Sequence, residues 1–228
     1  MELIYRGKTK DVYQLGQGQV LFKFKDELTG QDGVFDPGAD TVGLSVEGAG
    51  RSALRVSKFF FEKLRDEGIP THYIDADIDK GMMTAYAAEF FGNGLEVICR
   101  YRAVGSFIRR YGMYIEKGQP LDAYVEITLK DDDRQDPLIT DEALEMLDIL
   151  TKEEYKLLVG LTRQISKIIR DELAKKELEL YDIKLEFGRI GADKHIALID
   201  EISAGNMRVY KSGEYIEPFR LEEILLNE

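Results

Sequence analysis

Only one cysteine, Cys99, occurs in the 228 residues, within the strand-like run Leu95-Glu-Val-Ile-Cys-Arg100. A lone thiol excludes an intrachain disulfide and a cysteine metal cluster. Its apolar neighbours indicate a packing role, and a reducing, cytoplasmic setting fits. Histidine is almost as scarce: His72 and His195 stand far apart in no ligand spacing, and both read as surface or turn residues. Long apolar runs are missing. None approaches the roughly 18–20 residues needed to cross a bilayer, and Met1-Glu-Leu-Ile-Tyr-Arg6 lacks the basic-then-apolar layout of a signal peptide. Positive charge is in deficit, with 31 Lys and Arg against 43 Asp and Glu and a net charge of −12. That balance disfavours general binding to nucleic acid or anionic membranes, though it leaves room for a local positive pocket.

What remains is a globular mixture, 44% hydrophobic and 32% charged, long enough for one large domain or two lobes. Residues 3–25 read as a β-meander, with Leu3–Tyr5, Asp11–Leu15 and Val20–Phe24 as strands. Residues 26–49 are rich in Gly and Asp and read as a long loop. An amphipathic helix follows over 51–67, burying Leu54, Phe60, Phe61 and Leu64 and ended by Gly68. Met82–Phe91 and Leu95–Arg102 read as a hairpin about Gly92-Asn-Gly94. The lobe boundary is expected there, giving an N-terminal β-rich lobe at 1–93 and a mixed lobe at 94–228. Further on, the pattern predicts a short helix over Ser106–Tyr111, a strand over Tyr124–Leu129 and a final helix over Leu221–Leu226. Thr151-Lys-Glu-Glu154 is a capping box. It opens a helix to about Lys176 with Leu158, Leu161, Ile165, Ile168 and Leu173 as its buried stripe. Strands and helices do not alternate as βαβ units, so the fold class is α+β rather than a doubly wound parallel sheet.

The most informative stretch runs from Asp182 to Glu201. Alternation puts Asp182, Lys184 and Glu186 on one strand face and Ile183, Leu185 and Phe187 on the other. Gly188 to His195 reads as a hairpin loop leading to Ile196-Ala-Leu-Ile-Asp200-Glu201. With the turn centred near Ala192, Lys184 faces Asp200 and Glu186 lies diagonal to it. Diagonal neighbours are about 7–8 Å apart, so two carboxylates beside a lysine could hold a hard cation near phosphate. An open sheet face that is merely solvated gives the same alternation.

Four other segments call for reading. In Gly7-Lys8-Thr9-Lys10, two lysines share one side of an extended chain and could clamp phosphates; the spacing is not that of a P-loop. Arg100-Tyr-Arg102-Ala-Val-Gly105-Ser106-Phe-Ile-Arg109-Arg110 gathers guanidiniums, a hydroxyl and a helix start, which suits a phosphate or carboxylate. Lys130-Asp-Asp-Asp-Arg134-Gln-Asp136 is either a charged surface turn or a substrate loop, and Arg208 follows the second acidic strand. Gly48-Ala-Gly50-Arg-Ser-Ala53 has the letters of a dinucleotide fingerprint without its strand context.

Taken in order, Tyr5–Tyr13, Arg100 with Gly105-Ser106 and Arg110-Tyr111, Lys130–Ile139, Asp182–Gly188 and Asp200–Ser203 with Arg208 resemble the SAICAR synthetase family (phosphoribosylaminoimidazole-succinocarboxamide synthase). The resemblance implies a two-lobed α+β fold with ATP in the cleft between lobes, the first lobe holding nucleotide phosphates and the second carrying metal and substrate sites. It implies an ATP-driven amide ligation of purine synthesis, joining L-aspartate to carboxyaminoimidazole ribotide. By the same resemblance Lys8, Lys10 and Glu96 bind ATP, and Glu186 and Asp200 bind Mg²⁺ with Asp182 and Lys184 in support. Asp32, Arg100, Ser106 and Arg208 hold substrate, and Lys130 and Asp136 orient the imidazole end. Residues 26–49 are the expected closing loop, and a homodimer is expected. The family pattern carries Ser-Pro-Asp where this chain has Ser203-Ala204-Gly205. That difference leaves open a related ligase with other substrates, or a silent nucleotide-binding protein of the same fold.

Overall fold

The computed structural model describes residues 1–31, 33–35 and 41–227. β1 (Glu2–Arg6), β2 (Lys10–Gly16) and β3 (Gln19–Phe24) form the expected meander. Next come β4 (Glu27–Gln31), β5 (Val34–Phe35), β6 (Val42–Ser45), α1 (Ala49–Asp66), β7 (Tyr73–Asp77), β8 (Met82–Tyr86) and β9 (Ala88–Phe90). Then follow β10 (Leu95–Arg102), α2 (Ser106–Tyr111), β11 (Pro120–Leu129), α3 (Asp141–Met146), α4 (Lys152–Ala174) and β12 (Glu179–Ile190). The chain finishes with β13 (His195–Ile199), β14 (Met207–Lys211), β15 (Glu214–Tyr215) and α5 (Pro218–Leu226). The class is α+β.

Two compact units result. One comprises Met1–Glu89, Gly188–Asn206 and Ile216–Glu228, the other Phe90–Phe187 and Met207–Tyr215. A single cut at residue 93 therefore does not describe the chain. The first unit takes back two later segments because β12 begins in the second unit and ends in the first.

In the first unit an antiparallel sheet runs β1-β2-β3-β8-β7. Phe24, Met83 and Ala85 from this sheet are buried, as are Leu54, Phe60, Phe61 and Leu64 of α1, which packs on β3, β7 and α5. Burying such side chains contributes roughly 1.5–3 kcal/mol each. The expected loop over 26–49 holds a small sheet of its own, β5-β4-β6, in which Leu28 pairs with Leu44. Its few apolar residues are spaced for short strands, and the surrounding Gly and Asp obscure them.

In the second unit the sheet order is β11-β10-β12-β14-β15. Val97, Cys99, Ile127, Ile183, Leu185 and Phe187 fill its apolar face, and α4 packs against β10 and β11. The buried stripe of α4 is Leu158, Thr162, Ile165, Ser166, Ile169 and Leu173. It is rotated from the expected one, with Leu161 and Ile168 at its half-buried margin. The strands flanking Gly92–Gly94 do not form a hairpin. β8 pairs with β3 and β7, whereas β10 pairs with β11 and β12.

The capping box is complete: the Thr151 hydroxyl accepts from Glu154 N at 3.1 Å, and Glu154 Oε2 accepts from Thr151 N at 2.9 Å. Thr151→Ala is expected to destabilise the protein by about 1 kcal/mol, read by urea denaturation.

Candidate active site

In the first unit the chain delivers a lysine to two acids. Gly7 N donates to Lys10 O at 2.8 Å, folding the loop back on itself. A Cβ at Gly7 would lie 2.6 Å from that oxygen, so the turn requires glycine. Lys25 Nζ donates to Gly7 O at 2.8 Å and Lys25 N to Thr9 O at 2.9 Å, pinning the loop from outside. Lys10 then enters β2 with its side chain buried. Its Nζ lies 2.6 Å from Glu201 Oε1, 3.0 Å from Asp200 Oδ1 and 3.2 Å from Asp200 Oδ2. Burial alone would lower its pKa, but the Asp200 and Glu201 carboxylates outweigh that and raise it well above the ordinary lysine value. Lys8 remains half-buried in the same loop.

The acids are presented by a loop with no strand partner. Asp200 follows β13 with φ 68°, a left-handed conformation that Asp tolerates better than most residues. His72 Nε2 bonds Asp200 O at 3.0 Å. Asn206 Nδ2 donates to Glu201 O at 2.5 Å, and Ser57 bonds both Ile202 O and Ile202 N at 3.1 and 3.3 Å. Asn206 Oδ1 accepts from Ser203 N at 2.9 Å, and Ser203 Oγ from Gly205 N at 3.0 Å. Buried backbone groups must be paired, and here side chains take over what a ladder would supply. Contrary to expectation, His72 is a core residue, 1% exposed.

In the second unit the opposite face of the sheet is polar, and strand parity fixes who meets whom. Arg100 on β10 is in register with Asp182 on β12, and Asp182 with Arg208 on β14. The Arg100 side chain is 2% exposed. It donates to Asp182 Oδ2 at 2.5 Å, to Glu126 Oε1 at 2.7 and 3.0 Å, and to Ser106 Oγ at 2.8 Å. Arg208 reaches the same Asp182 oxygen at 2.9 Å, and Arg110 bonds Glu126. Gly105, at φ 56° and ψ −134°, takes a backbone conformation that is essentially restricted to glycine. Three guanidiniums share two carboxylates, an excess of one positive charge.

A second polar row lies further along the same strands. Glu96 is in register with Glu186, and like charges directly opposite are destabilising. Lysines resolve the conflict: Lys184 Nζ bonds Glu96 Oε1 at 2.7 Å, and Lys130 Nζ bonds Glu186 Oε1 at 2.5 Å. Thr128 Oγ1 donates to Glu96 Oε2 at 3.3 Å. Burial tends to lower the Lys184 pKa, but Glu96 and Glu186 leave it raised.

Several expectations change with this geometry. Lys184 pairs with Glu96 and Asp200 with Lys10, so the anticipated cross-strand pairing of Lys184 with Asp200 is replaced by a separate partner for each. The turn after β12 is also shorter than expected, spanning 191–194. Lys10 is turned inward onto Asp200 and Glu201, while Lys8 is half-buried in the loop before it. Arg100 is buried among its partners, whereas Arg110 and Arg208 are 27% and 16% exposed. Asp136 Oδ1 accepts from Asp131 N at 2.8 Å and shapes the acidic loop. Asp32 lies outside the described residues. Glu126, Glu201, His72 and Ser57 escaped sequence reasoning. Asp200-Glu201 as a doublet was visible, but nothing local shows which acid turns inward. Among the described residues, no three or more His, Cys, Asp or Glu side chains gather as a metal site.

Two outcomes follow from the buried groups. Arg100→Ala leaves Glu126 and Asp182 without their central cation, and a loss of about 3–5 kcal/mol in folding stability is expected by chemical denaturation. Burial, partly opposed by the bond to Asp200, holds the His72 pKa down to about 4 from its ordinary 6.5. The unfolded chain therefore binds more protons in that window. His72's contribution is whole above pH 6.5 and is lost as pH falls toward 4, by up to about 3 kcal/mol. His72→Gln, which does not titrate, should flatten the fall in stability over this range.

Comparison with known proteins identifies the family. The SAICAR synthetase family profile matches residues 3–222. The Clostridium tetani phosphoribosylaminoimidazole-succinocarboxamide synthase is 65% identical over 226 residues, 99% of this chain and 100% of that protein. The Streptococcus agalactiae serotype III protein of the same name is 36% identical over 92% of this chain and 85% of its own. Among solved structures, the Ehrlichia chaffeensis synthase superposes with a TM-score of 0.84 at 27% identity, covering 99% of this chain and 93% of that one. A SAICAR synthetase in complex with ADP gives 0.86 at 25% identity, covering 98% and 97%. With its profile matched almost end to end and its polar clusters built on the shared fold, this chain belongs to the SAICAR synthetase family.

Proposed function

We propose that the protein is an ATP-dependent carbon–nitrogen ligase of purine biosynthesis that joins L-aspartate to carboxyaminoimidazole ribotide, giving SAICAR, ADP and phosphate. The observation that carries this is the 65% identity, over the whole of both chains, with a phosphoribosylaminoimidazole-succinocarboxamide synthase. A carboxylate is a poor acceptor for an amine. The ribotide carboxylate therefore takes the γ-phosphoryl group of ATP, releasing ADP. The aspartate amine then attacks the carbonyl carbon of the acyl phosphate, expels phosphate and loses a proton. Phosphoryl transfer needs in-line positioning and neutralised oxygens more than covalent help.

The two clusters suit opposite ligand charges. The three arginines with two acids favour an anion, so Arg208 and Arg110 are assigned to the ribotide phosphate or a substrate carboxylate, with Arg100 and Ser106 behind them. Lys10 with Asp200 and Glu201 carries an excess of one negative charge, which favours a cation. The nucleotide reading draws on the ADP-bound relative, with Lys8 and Lys10 serving the phosphates and Glu96 the adenine side. Lys130, Asp136 and Lys184 are assigned to the reacting end of the ribotide, and Asp32 to substrate.

Mg²⁺ is the metal the family implies. It takes one or two protein carboxylates and completes its shell with water and phosphate. Glu186 and Asp200, each paired with a lysine in this structure, are the carboxylates assigned to hold it. When bound, it would neutralise charge on the phosphate oxygens. Cytoplasmic location and a homodimer belong to the same proposal. Among the described residues no helix is long and apolar enough to cross a membrane.

Purified protein mixed with Mg²⁺ATP, the ribotide and L-aspartate is expected to form ADP and the succinocarboxamide together, followed by coupled ADP release and absorbance. ATP turnover with a different acid or amine only would instead support the related ligase that Ala204-Gly205 leaves open. Asp200→Asn should lower kcat by at least 100-fold with the circular dichroism spectrum unchanged. Arg208→Ala should raise KM for the ribotide far more than KM for ATP.

A further inference from the structure

We propose that His72 is a positioning residue for the Lys10–Asp200–Glu201 cluster, acting through the backbone of Asp200. The inference rests on the reading that this cluster serves the nucleotide and its metal.

The backbone places the imidazole with little freedom. Leu198 N donates to Pro70 O at 3.0 Å and His72 N to Leu198 O at 2.9 Å, a parallel bridge that sets His72 beside the end of β13. Tyr86 N donates to His72 O at 2.8 Å and fixes the other side. The ring packs edge-on to Phe22 at 5.5 Å and tilted to Phe61 at 5.7 Å. Its Nε2 faces the carbonyl of Asp200 at 3.0 Å. A carbonyl only accepts, so Nε2 must carry the proton.

That carbonyl belongs to a residue at φ 68°. A non-glycine residue is held in this region only when its surroundings over-determine it. Here the turn redirects the chain after β13 so that consecutive carboxylates, Asp200 and Glu201, both reach one ammonium. In regular strand, neighbours would point to opposite faces. The His72 bond lies on the peptide between the two acids. Losing this bond removes one of the constraints on that peptide, so the two carboxylates are held less firmly on Lys10.

The test compares His72→Gln, whose amide keeps a donor near Nε2, with His72→Phe, which keeps an aromatic ring and loses the donor. Lys10 acylation by an N-hydroxysuccinimide acetate is followed by mass spectrometry of the Lys10 peptide, with exposed lysines of the same molecule as reference. His72→Phe is expected to raise Lys10 labelling at least tenfold and His72→Gln less than threefold, with thermal melting confirming folded protein. Labelling in folded His72→Phe as slow as in the parent overturns the proposal. If the phenylalanine variant does not fold, His72→Leu, smaller and equally without a donor, is judged by the same ratio. Calorimetry with ADP in the presence of Mg²⁺ separates this proposal from the reading beneath it. Affinity at least tenfold weaker in His72→Phe and nearly restored in His72→Gln supports both. Raised labelling with unchanged ADP affinity supports the positioning role and refutes the nucleotide role of the cluster.

Discussion

The first unit depends on one buried ammonium. Lys10 contacts acids 190 and 191 residues away in sequence. Removing a charge from water costs several kcal/mol even after relaxation, so this arrangement persists only if the partners are held in place. That requirement explains the local architecture. The Gly7 turn and Lys25 brace the lysine side. The 200–206 loop, tied by His72, Ser57, Ser203 and Asn206, braces the acid side. A buried pair of this kind adds little net stability, but it is exacting about geometry.

The second unit solves its charge problem by strand parity. One face of β10 and β12 is apolar and packs on α4. The other must then carry Glu96, Arg100, Asp182, Lys184 and Glu186 together. Register places arginine opposite aspartate in one row and glutamate opposite glutamate in another, with Ile98 opposite Lys184 between them. The first row is self-neutralising and becomes buried. The second requires Lys184 and Lys130 from the diagonal and from the end of β11. The same face leaves a surplus of guanidinium beside Ser106, whereas Glu96 and Glu186 are each balanced by a lysine.

Much of this was legible because it depends on local periodicity. The 182–187 alternation, the Thr151 capping box, the short helix after Gly105 and the amphipathic pattern of α1 each follow from spacing within a few residues. The family came separately, from the resemblance of the ordered motifs to those of SAICAR synthetases. What was missed depends on distant partners. His72 carries no local sign that it is buried, because its neighbours Phe22 and Phe61 come from other elements. Lys10 reads as solvated until Asp200 and Glu201 arrive. The strands within 26–49 are short and Gly-rich, and the α4 stripe shifted by one residue because β10 and β11, rather than the helix itself, decide which side is covered.

The Ala204-Gly205 difference can be followed to its physical consequence. A Cβ at Gly205 would lie 3.1 Å from Ser203 Oγ and 3.9 Å from Glu201 Oε1. An aspartate there would bring a third carboxylate beside a lysine that already serves two. Its absence leaves the cluster one negative charge in excess rather than two. A cavity of about 30 Å³ opens beside it, lined by Thr9, Glu201, Ser203, Ala204 and Gly205 among others. A space of that size, with hydroxyl and carboxylate groups on its wall, is large enough for a water molecule. The position carries no fixed negative charge, which weakens its pull on a cation.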